Sequence, residues 1–483
     1  MNSAIRRLAV AAIVLMLALM ANSTYLQAFR AGDLNGRNDN RRVRDSQFSV
    51  DRGPILVGST PIAESKESND QFEFQRTYRV GPQYAPVTGF YSYLYGRAGL
   101  ELTQNSELNG SDPSLAFRRV VDVITNRRQQ GASVSLTLNA KAQLAAYSAL
   151  GNKKGAVVAI EPKTGKVLAM VSTPSYDPNQ LASHDLDKVS TTWKKLLEDP
   201  TKPMSNRAIR ELYPPGSTFK LVTAAAALSS GRYTPETKVR SPAELELPQT
   251  TTPLKNENLQ NCGGSDNATL TVALRLSCNT AFGSVGLDLG ADALREQAEK
   301  FGFGEKLLPE LGAVASQFPA DPNAPQVAQS AIGQFDVQST PLQMAMVAAG
   351  IANGGDVMKP YLVQNVKTAD LKTVSETKPE SLHQAVTPEV ASQLTQMMID
   401  VVNNGTGKPG RIDGVQVAGK TGTAQTSPDR PPFAWFTAFA PANDPQIAVA
   451  VMIEDANVPR TDIAGGTLAA PIAKKVIQAV LGQ

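Results

Sequence analysis

The stretch Tyr213-Pro-Pro-Gly-Ser-Thr-Phe-Lys220, followed by the apolar run from Leu221 to Leu228, decides how this chain is interpreted. The Pro-Pro-Gly turn cannot continue a helix, whereas the run behind it is rich in helix-forming residues. The pattern therefore predicts a helix that starts at Ser217, with Lys220 one turn further on. Residues at positions i and i+3 share a helix face, so the hydroxyl and the amine can meet. A serine beside a lysine base is one arrangement that activates a nucleophile.

Two further motifs lie downstream. Ser277-Cys-Asn279 lies in the middle of the chain, and Lys420-Thr-Gly-Thr423 follows an alternating run, 415–419, that is typical of a strand. The order S-x-x-K, S-x-N and K-T-G is that of the penicillin-recognising serine enzymes. The chain resembles class B penicillin-binding proteins, and most closely the short actinobacterial penicillin-binding protein A type. Segments around the motifs support the resemblance: 206–208, 333–334, 340–343 and 434–441.

The resemblance implies an α+β fold, the penicillin-recognising transpeptidase fold. Strand patterns at 155–172 and from 415 onward flank a mainly helical middle, which predicts one antiparallel sheet assembled from both ends of the domain and covered by helices. The predicted organisation is a cytoplasmic stub with a transmembrane signal-anchor at 1–29, a juxtamembrane linker at 30–46, a small β-rich pedestal module at 47–130, and the penicillin-binding transpeptidase domain at 131–483.

The N-terminus carries Arg6-Arg7 and then an uncharged, largely apolar stretch that reaches Phe29. A positive flank ahead of such a stretch directs the following chain outward. The run is short for a spanning helix unless residues 22–29 lie at the membrane interface. A cleaved signal peptide is the alternative, because Ala21-Asn-Ser23 fits a small-x-small cleavage site. The resemblance favours an uncleaved anchor, which predicts a single-pass cell-membrane protein with an extracytoplasmic catalytic domain.

The pedestal module is predicted from short β-like runs, at Gln71–Phe74 and Tyr78–Val80 among others. Arg52 and Glu101 belong to short motifs that resemble those of the class B N-terminal module, and we interpret them as a structural ion pair. In the family this region packs against the catalytic domain and contacts partners.

Composition excludes several kinds of protein. The chain has 483 residues, a net charge of +3 and no dominant Lys/Arg tract in its body, so no nucleic-acid partner is expected. His184 and His383 lie far from the motifs, which argues against a Ser-His-Asp hydrolase. Two cysteines and two histidines at scattered positions offer no metal-ligand spacing, so neither a metal nor a cofactor is expected.

The charge states of the lysines decide whether the first motif can work. Ser217 loses a proton as it attacks a carbonyl, and an ammonium cannot accept it, so Lys220 has to be neutral at that moment. Burial and a nearby positive charge both lower the pKa of a lysine. Lys420 can supply that charge, and it can itself stay protonated.

The second motif combines two polar side chains with a cysteine. Ser277 fits a proton relay to the leaving amine, and Asn279 can hydrogen-bond the peptide chain of the substrate. Alternate positions point the same way, so both can face the cleft while Cys278 faces inward. Cys262 and Cys278 are expected to form a disulfide if the domain is extracytoplasmic. Two free thiols are the alternative.

The third motif suits a peptide that ends in a free carboxylate. Thr421 and Thr423 offer hydroxyl groups to that carboxylate beside Lys420, and Gly422 lets the strand edge approach the peptide because it lacks a Cβ atom. The resemblance implies an oxyanion hole formed by the backbone N–H groups of Ser217 and Thr423, each worth about 3 kcal/mol of transition-state stabilisation.

A second K-T-G sequence, Lys163-Thr-Gly165, lies between two apolar β runs, 156–160 and 167–171. Glycine supplies the backbone conformation that a tight hairpin turn needs. We therefore interpret this copy as a structural turn and Lys420 as the lysine of the site.

The resemblance implies a peptidoglycan D,D-transpeptidase. Its substrate would be the D-alanyl-D-alanine end of a stem peptide, Ser217 would be acylated with loss of the last D-alanine, and an amine of a neighbouring stem peptide would resolve the acyl-enzyme. β-Lactams would mimic the substrate and trap Ser217. The implied partners are stem peptides, β-lactam antibiotics, the cytoplasmic membrane through the anchor, a membrane glycan polymerase, and cell-division or elongation proteins.

Three other activities use related motifs. A D,D-carboxypeptidase differs only in letting water attack the acyl-enzyme. A serine β-lactamase needs a deacylating base and is usually a single soluble domain, and a β-lactam sensor should carry several transmembrane segments. The long region ahead of the catalytic core and the one candidate span favour the transpeptidase.

Overall fold

The computed structural model describes residues 2–30, 34, 45, 47–113, 130–427 and 429–483. The predicted linker at 30–46 lies mostly outside the described residues, as do residues 114–129 of the predicted module. The helices whose bounds are described are α1 (Asn2–Tyr25), α2 (Gly81–Thr88), α3 (Gly99–Thr103), α4 (Asn105–Leu108), α5 (Ala140–Leu150), α6 (Asn179–Ala182), α7 (Leu186–Glu198), α8 (Lys220–Ser229), α9 (Leu270–Leu276), α10 (Asn279–Leu289), α11 (Ala291–Lys300), α12 (Ala324–Ser330), α13 (Pro341–Ala352), α14 (Pro388–Asn404) and α15 (Ala470–Leu481).

The strands are short in the first half of the chain and longest at its end. They are β1 (Ile55–Val57), β2 (Thr60–Glu67), β3 (Phe74–Tyr78), β4 (Tyr91–Ser92), β5 (Gly96–Arg97), β6 (Ser133–Leu136), β7 (Lys154–Ile160), β8 (Val167–Thr173), β9 (Lys238–Arg240), β10 (Glu244–Leu245), β11 (Leu254–Lys255), β12 (Asn267–Thr269), β13 (Asp356–Met358), β14 (Val363–Lys367), β15 (Thr373–Glu376), β16 (Ser381–Gln384), β17 (Ala418–Ala424), β18 (Phe433–Ala440) and β19 (Ile447–Asp455).

The core of the predicted C-terminal domain is a five-stranded antiparallel sheet among the described residues, in the order β17-β18-β19-β7-β8. The hairpin β7–β8 and the last three strands are distant in sequence, yet Val158 of β7 pairs with Ala450 of β19. Strand β18 is buried along its whole length, as its continuous apolar sequence predicts for a strand covered on both faces. The predicted sheet from both ends of the domain is confirmed.

Helices cover both faces of this sheet. Helix α13 packs against β7 and β19 on one face, and its residues from Pro341 to Ile351 are buried. Helices α5 and α15 pack against each other and against the other face, where Ala146 and Val476 belong to one apolar cluster. Strand β17, which carries the third motif, is the edge strand nearest the helical middle. The α+β class is thereby confirmed.

A second, six-stranded sheet joins the N-terminal module to the rest of the chain, in the order β15-β14-β6-β1-β2-β3. Strand β1 of the module runs parallel to β6, and β14 lies on the other side of β6. The sheet therefore continues across the boundary predicted between residues 130 and 131.

The module's strands differ from the predicted runs. A single strand, β3, occupies Phe74–Tyr78, between the two predicted runs rather than within them. Glu73 and Val80 have positive φ angles of 62° and 50°. That left-handed conformation ends the strand on each side and cannot be read from apolar spacing alone.

The ion pair predicted between Arg52 and Glu101 is present, with Nε and Oε2 2.5 Å apart, and both side chains are buried. Arg76 completes it, because its Nε lies 2.7 Å from the other carboxylate oxygen. Tyr78 donates a hydrogen bond to the same oxygen over 3.1 Å. The two guanidinium groups hold the pKa of Glu101 below its usual range despite its burial.

The N-terminal helix stands apart from the folded body. Among the described residues, the segment Ser3–Arg30 is the one helix long and apolar enough to cross a membrane, with a mean hydropathy of 2.1 and none of its apolar window buried. Its length and composition fit a membrane anchor, and its position near the N-terminus also fits a signal sequence.

Candidate active site

Ser217, the predicted nucleophile, lies on a tight turn ahead of α8. Gly216–Thr218 forms one turn of 3₁₀ helix, which continues through Phe219 into α8. Thr218 Oγ1 donates to the carbonyl of Pro215 over 2.7 Å, and Gly216 N donates to Gly333 O over 2.9 Å. Gly216 has a φ of 53°, a conformation that glycine adopts without strain. These contacts fix Ser217, which is 5 % exposed, at the mouth of a cleft.

Lys220 Nζ lies in a polar cage formed by the second motif. It donates to Ser277 O and to Asn279 Oδ1, each over 2.7 Å, and lies 3.4 Å from Ser277 Oγ. Within the described residues, none of its hydrogen bonds reaches Ser217, although the two were expected to meet on one helix face. A neutral amine has two N–H donors and one lone pair, so two carbonyl-type acceptors leave the lone pair for an incoming proton.

The segment that carries Ser277 and Asn279 is bent so that both side chains face Lys220. Ser277 caps α9 with a φ of 61°, and Asn279 begins α10. Lys420 Nζ, on strand β17, donates to Ser277 Oγ over 2.8 Å. The Ser277 hydroxyl therefore lies between two lysines, which is the position that a proton relay requires.

Both lysines are fully buried, and this changes their pKa values. Burial lowers the pKa of Lys220 well below its usual range, the charge of Lys420 lowers it further, and Glu257 opposes the shift. Burial lowers the pKa of Lys420 to about 7, again against the effect of Glu257. The ammonium of Lys420 is thus desolvated as well, and its protonation changes with pH near neutrality.

Strand β17 brings the third motif alongside the turn that carries Ser217. Thr423 lines the cleft with Ser217. The hydroxyl of Thr421 lies 2.6 Å from the hydroxyl of Thr406. A Cβ atom on Gly422 would lie 3.0 Å from Pro215 O. The missing side chain at Gly422 thus lets the strand approach the protein's own turn.

Behind the second motif, a disulfide joins Cys262 to Cys278, whose Cα atoms are 5.8 Å apart. Cys278 is buried, while its neighbours Ser277 and Asn279 face Lys220. The short 3₁₀ turn Cys262–Gly264 is thereby fastened beneath the segment that carries the two polar side chains.

The cleft above Ser217 has a volume of about 280 Å³ and includes residues that sequence reasoning did not single out. These are Leu254, Glu257, Gln329, Ile332, Phe335 and Gln425. Glu257 lies in an exposed polar loop, where acidic residues are common, so no sequence pattern distinguishes it. Gln334, within a segment noted for its resemblance, also lines the cleft.

The remaining candidates lie elsewhere. Lys163 forms an exposed ion pair with Asp444 over 2.7 Å in the β7–β8 turn, where Gly165 has a φ of 81°. His184 pairs with Asp70, and His383 lies near Glu305, away from the cleft. Within the described ranges, no group of three or more histidine, cysteine or acidic side chains is arranged to hold a metal ion.

Three features occur together: a serine on a tight turn, a buried lysine in a polar cage, and a second buried lysine on the edge strand of an antiparallel sheet. Together they define a serine acyltransferase of the penicillin-recognising class. Residues 155–478 match the penicillin binding protein transpeptidase domain family, and residues 52–134 match the penicillin binding protein A dimerisation domain family. The chain belongs to the penicillin-binding protein transpeptidases, and within them to the penicillin-binding protein A group of peptidoglycan D,D-transpeptidases.

Individual relatives match over the full length. The peptidoglycan D,D-transpeptidase PbpA of Mycolicibacterium smegmatis is 45 % identical over 100 % of this chain and 99 % of its own length. PbpA of Mycobacterium tuberculosis is 43 % identical over the same shares. A solved structure of penicillin-binding protein A from M. tuberculosis, a ceftriaxone acyl-enzyme complex, superposes with a TM-score of 0.88, covering 90 % of this chain and 100 % of that one at 43 % identity. The predicted family is confirmed.

Proposed function

We propose that this peptidoglycan D,D-transpeptidase uses Ser217 as its nucleophile, Lys220 as the base and Ser277 as the proton relay. The observation that carries the assignment is the hydrogen-bonded cluster of Lys220, Ser277 and Lys420 directly behind the serine turn. The substrate is the D-alanyl-D-alanine end of a peptidoglycan stem peptide.

Acylation begins when Ser217 Oγ attacks the carbonyl carbon of the penultimate D-alanine. The serine proton passes to the neutral amine of Lys220, whose lowered pKa leaves it free to accept. The backbone N–H groups of Ser217 and Thr423 stabilise the oxyanion. Ser277 then delivers a proton to the departing amine of the last D-alanine, and Lys420 orients the Ser277 hydroxyl.

Substrate binding uses the side chains that border the same space. Asn279 hydrogen-bonds the peptide chain, while Lys420, Thr421 and Thr423 hold the terminal carboxylate. Thr421 exchanges its contact with Thr406 for the carboxylate, and Gly422 keeps β17 close to the serine turn. β-Lactams carry a comparable carboxylate and carbonyl, and they acylate the same serine.

Outside the site, we propose that α1 remains as a single-pass anchor in the cell membrane and that the catalytic domain is extracytoplasmic. The exposed apolar surface of α1 and the positive flank at its start support this orientation. Peptidoglycan, a membrane glycan polymerase, and division or elongation proteins then lie on the same side as the active site.

One experiment tests the reaction and the residue together. The full-length protein in detergent is labelled with fluorescent penicillin and mapped by peptide mass spectrometry, and a parallel sample receives a stem-peptide donor and an amine acceptor. We expect the label on the peptide that contains Ser217, and a cross-linked product in the parallel sample. A label on another residue rejects the nucleophile, and hydrolysis without any cross-link identifies a carboxypeptidase.

A further inference from the structure

The lining of the cleft over Ser217 contains one acidic side chain and no basic one among the described residues. Of the described residues that line it, Glu257 is the one that carries a formal charge. The two lysines of the site lie behind the lining, buried. This exposed acidic side chain has no part in the proposed acylation steps, because neither the serine nor the substrate carboxylate requires a negative charge beside it.

The Glu257 carboxylate is free to receive a ligand. It is exposed, and none of the hydrogen bonds and ion pairs among the described residues engages it. The nearest cation in sequence, Lys255, is paired with Glu244 over 2.7 Å. The negative charge also acts on the site, since it partly opposes the lowering of the Lys220 and Lys420 pKa values by burial.

The loop that presents Glu257 is fixed to the catalytic segment. Asn279 Nδ2 donates to Lys255 O over 3.1 Å, and Thr280 N donates to Asn256 Oδ1 over 3.1 Å. Asn256 Nδ2 in turn donates to Gln260 O over 2.9 Å, and the Asn256 side chain is buried. The residues just before Glu257 are thus hydrogen-bonded to the start of α10. The same helix start supplies Asn279 to the polar cage around Lys220.

We propose that Glu257 marks the acceptor side of the cleft and selects an acceptor whose side chain carries an ammonium group. This inference rests on the proposed transpeptidase function and adds the residue that distinguishes an amine acceptor from water. Opposite charges raise the local concentration of a cationic ligand, whereas neutral water gains nothing from the carboxylate.

The transfer step balances with the groups present. The attacking ammonium releases one proton to solvent, and the resulting amine forms a C–N bond with the acyl carbonyl as the C–Oγ bond to Ser217 breaks. The second amine proton passes through Lys220 to Ser217 Oγ, which restores the free enzyme. Glu257 takes no proton and acts by attraction alone.

The test uses the full-length protein in detergent, a thioester donor that acylates Ser217, and two acceptors of matched shape. Nε-trimethyl-D-lysine keeps a positive side chain, and Nε-acetyl-D-lysine is neutral; in both, only the α-amine can attack. The ratio of aminolysis to hydrolysis is measured for each acceptor. From the attraction between two unit charges in water, we expect the wild type to prefer the cationic acceptor about fivefold. This preference should decrease in 0.5 M salt because salt screens the attraction.

The variants separate attraction from support of the fold. Glu257→Gln should lose the preference and its salt dependence, and Glu257→Asp should keep part of both. Glu246→Gln, a change at an exposed glutamate outside the cleft, should behave as the wild type. An unchanged preference in Glu257→Gln overturns the inference alone. A wild type that only hydrolyses the donor overturns the transpeptidase function, and the inference with it.

Discussion

Single residues decide the chemistry through burial. Lys220 and Lys420 are both fully buried, and the Ser277 hydroxyl lies between them. Two ammonium groups in such a place repel each other and lose their hydration, which disfavours the state in which both lysines are charged. Two residues of the same type can thereby differ in charge, with Lys220 as the proposed neutral base and Lys420 as its charged partner.

Removing the nucleophile gives the first prediction at this scale. Ser217→Ala should abolish covalent penicillin labelling, and Lys220→Ala should reduce the acylation rate constant by about a thousandfold, because a nucleophile and its base act as a unit. Intact-mass spectrometry after a timed exposure measures both. Circular dichroism should show a folded protein in each case.

Lys163→Ala is the matched control for the lysine variants, since it removes the lysine of the other K-T-G sequence. Its acylation rate constant should equal that of the wild type. Equal losses at Lys163 and Lys420 would mean that the wrong copy has been assigned. Strong labelling of Ser217→Ala would reject the nucleophile.

The pH profile of acylation is the second prediction. Lys220 has to be neutral, and its lowered pKa makes this base available well below pH 10. Lys420 is protonated below its pKa of about 7 and loses its charge as the pH rises through that value. The second-order rate constant for a penicillin, which carries a carboxylate, should therefore fall above about pH 7.

Stopped-flow measurement of that rate constant between pH 5 and 10 tests the profile. Lys420→Arg keeps its charge throughout this range and should lose the falling limb, even if acylation is slower at every pH. A wild-type rate constant that keeps rising between pH 7 and 9 would show that the charge on Lys420 is dispensable.

At the scale of elements, the segment from Cys262 to α10 is built to hold one bend. The disulfide fastens its two ends, and the positive φ of Ser277 turns α9 into α10. A left-handed serine is an uncommon conformation that its surroundings have to hold in place. The position of Ser277, the proposed proton relay, therefore depends on bonds made well outside the cleft.

Loss of the disulfide is the third prediction. Replacing Cys262 and Cys278 together by serine should lower stability by about 3 kcal/mol in the chain-entropy model and should slow acylation, because Ser277 is held less firmly. Chemical denaturation and the acylation rate constant are the measurements. Thiol titration of the denatured, unreduced wild type should find no free thiol, and two free thiols would contradict the bond.

The elements also show what the sequence could predict. The three motifs and their order can be read directly in the sequence. The hairpin at β7–β8 and the helical middle that contains α13 follow from apolar runs and turn residues. The sequence could not predict that Lys220 contacts Asn279 rather than Ser217. That contact depends on side-chain directions set by a bend at Ser277, 57 residues downstream. Glu257 escaped notice because a charged residue in a loop carries no local pattern.

At the scale of the whole molecule, the six-stranded sheet couples the N-terminal module to the catalytic domain, and the buried group of Arg52, Arg76 and Glu101 lies beside it. Such a group adds little stability against an apolar equivalent, but losing one member leaves charges buried without a partner. The module is therefore sensitive to a change that touches no residue of the active site.

Glu101→Gln is the fourth prediction. It should lower the free energy of unfolding by roughly 3–5 kcal/mol, since two buried guanidinium groups lose their carboxylate. Trp193 stacks on Tyr95 of the module with ring centroids 4.3 Å apart, so its fluorescence reports the unfolding. Urea titration gives the free energy.

Lys163→Ala again serves as the control, because it breaks an exposed ion pair that is worth less than about 1 kcal/mol. If Glu101→Gln unfolds at the same midpoint urea concentration as the wild type, the buried carboxylate is not required for stability. Penicillin labelling of the folded fraction should persist in both variants, because Ser217 is untouched.

The pairing of β7 with β19 joins two strands that are synthesised far apart in time. Gly155 meets Ile453 about 300 residues later in the chain. During synthesis, which begins at the amino terminus, Ser217 is made long before the strands that complete the five-stranded sheet. Nascent chains halted before β17 contain the nucleophile but neither Lys420 nor a closed sheet, so they should bind no antibiotic. A newly synthesised chain is thus expected to be inactive, and insensitive to β-lactams, until its last strands have folded.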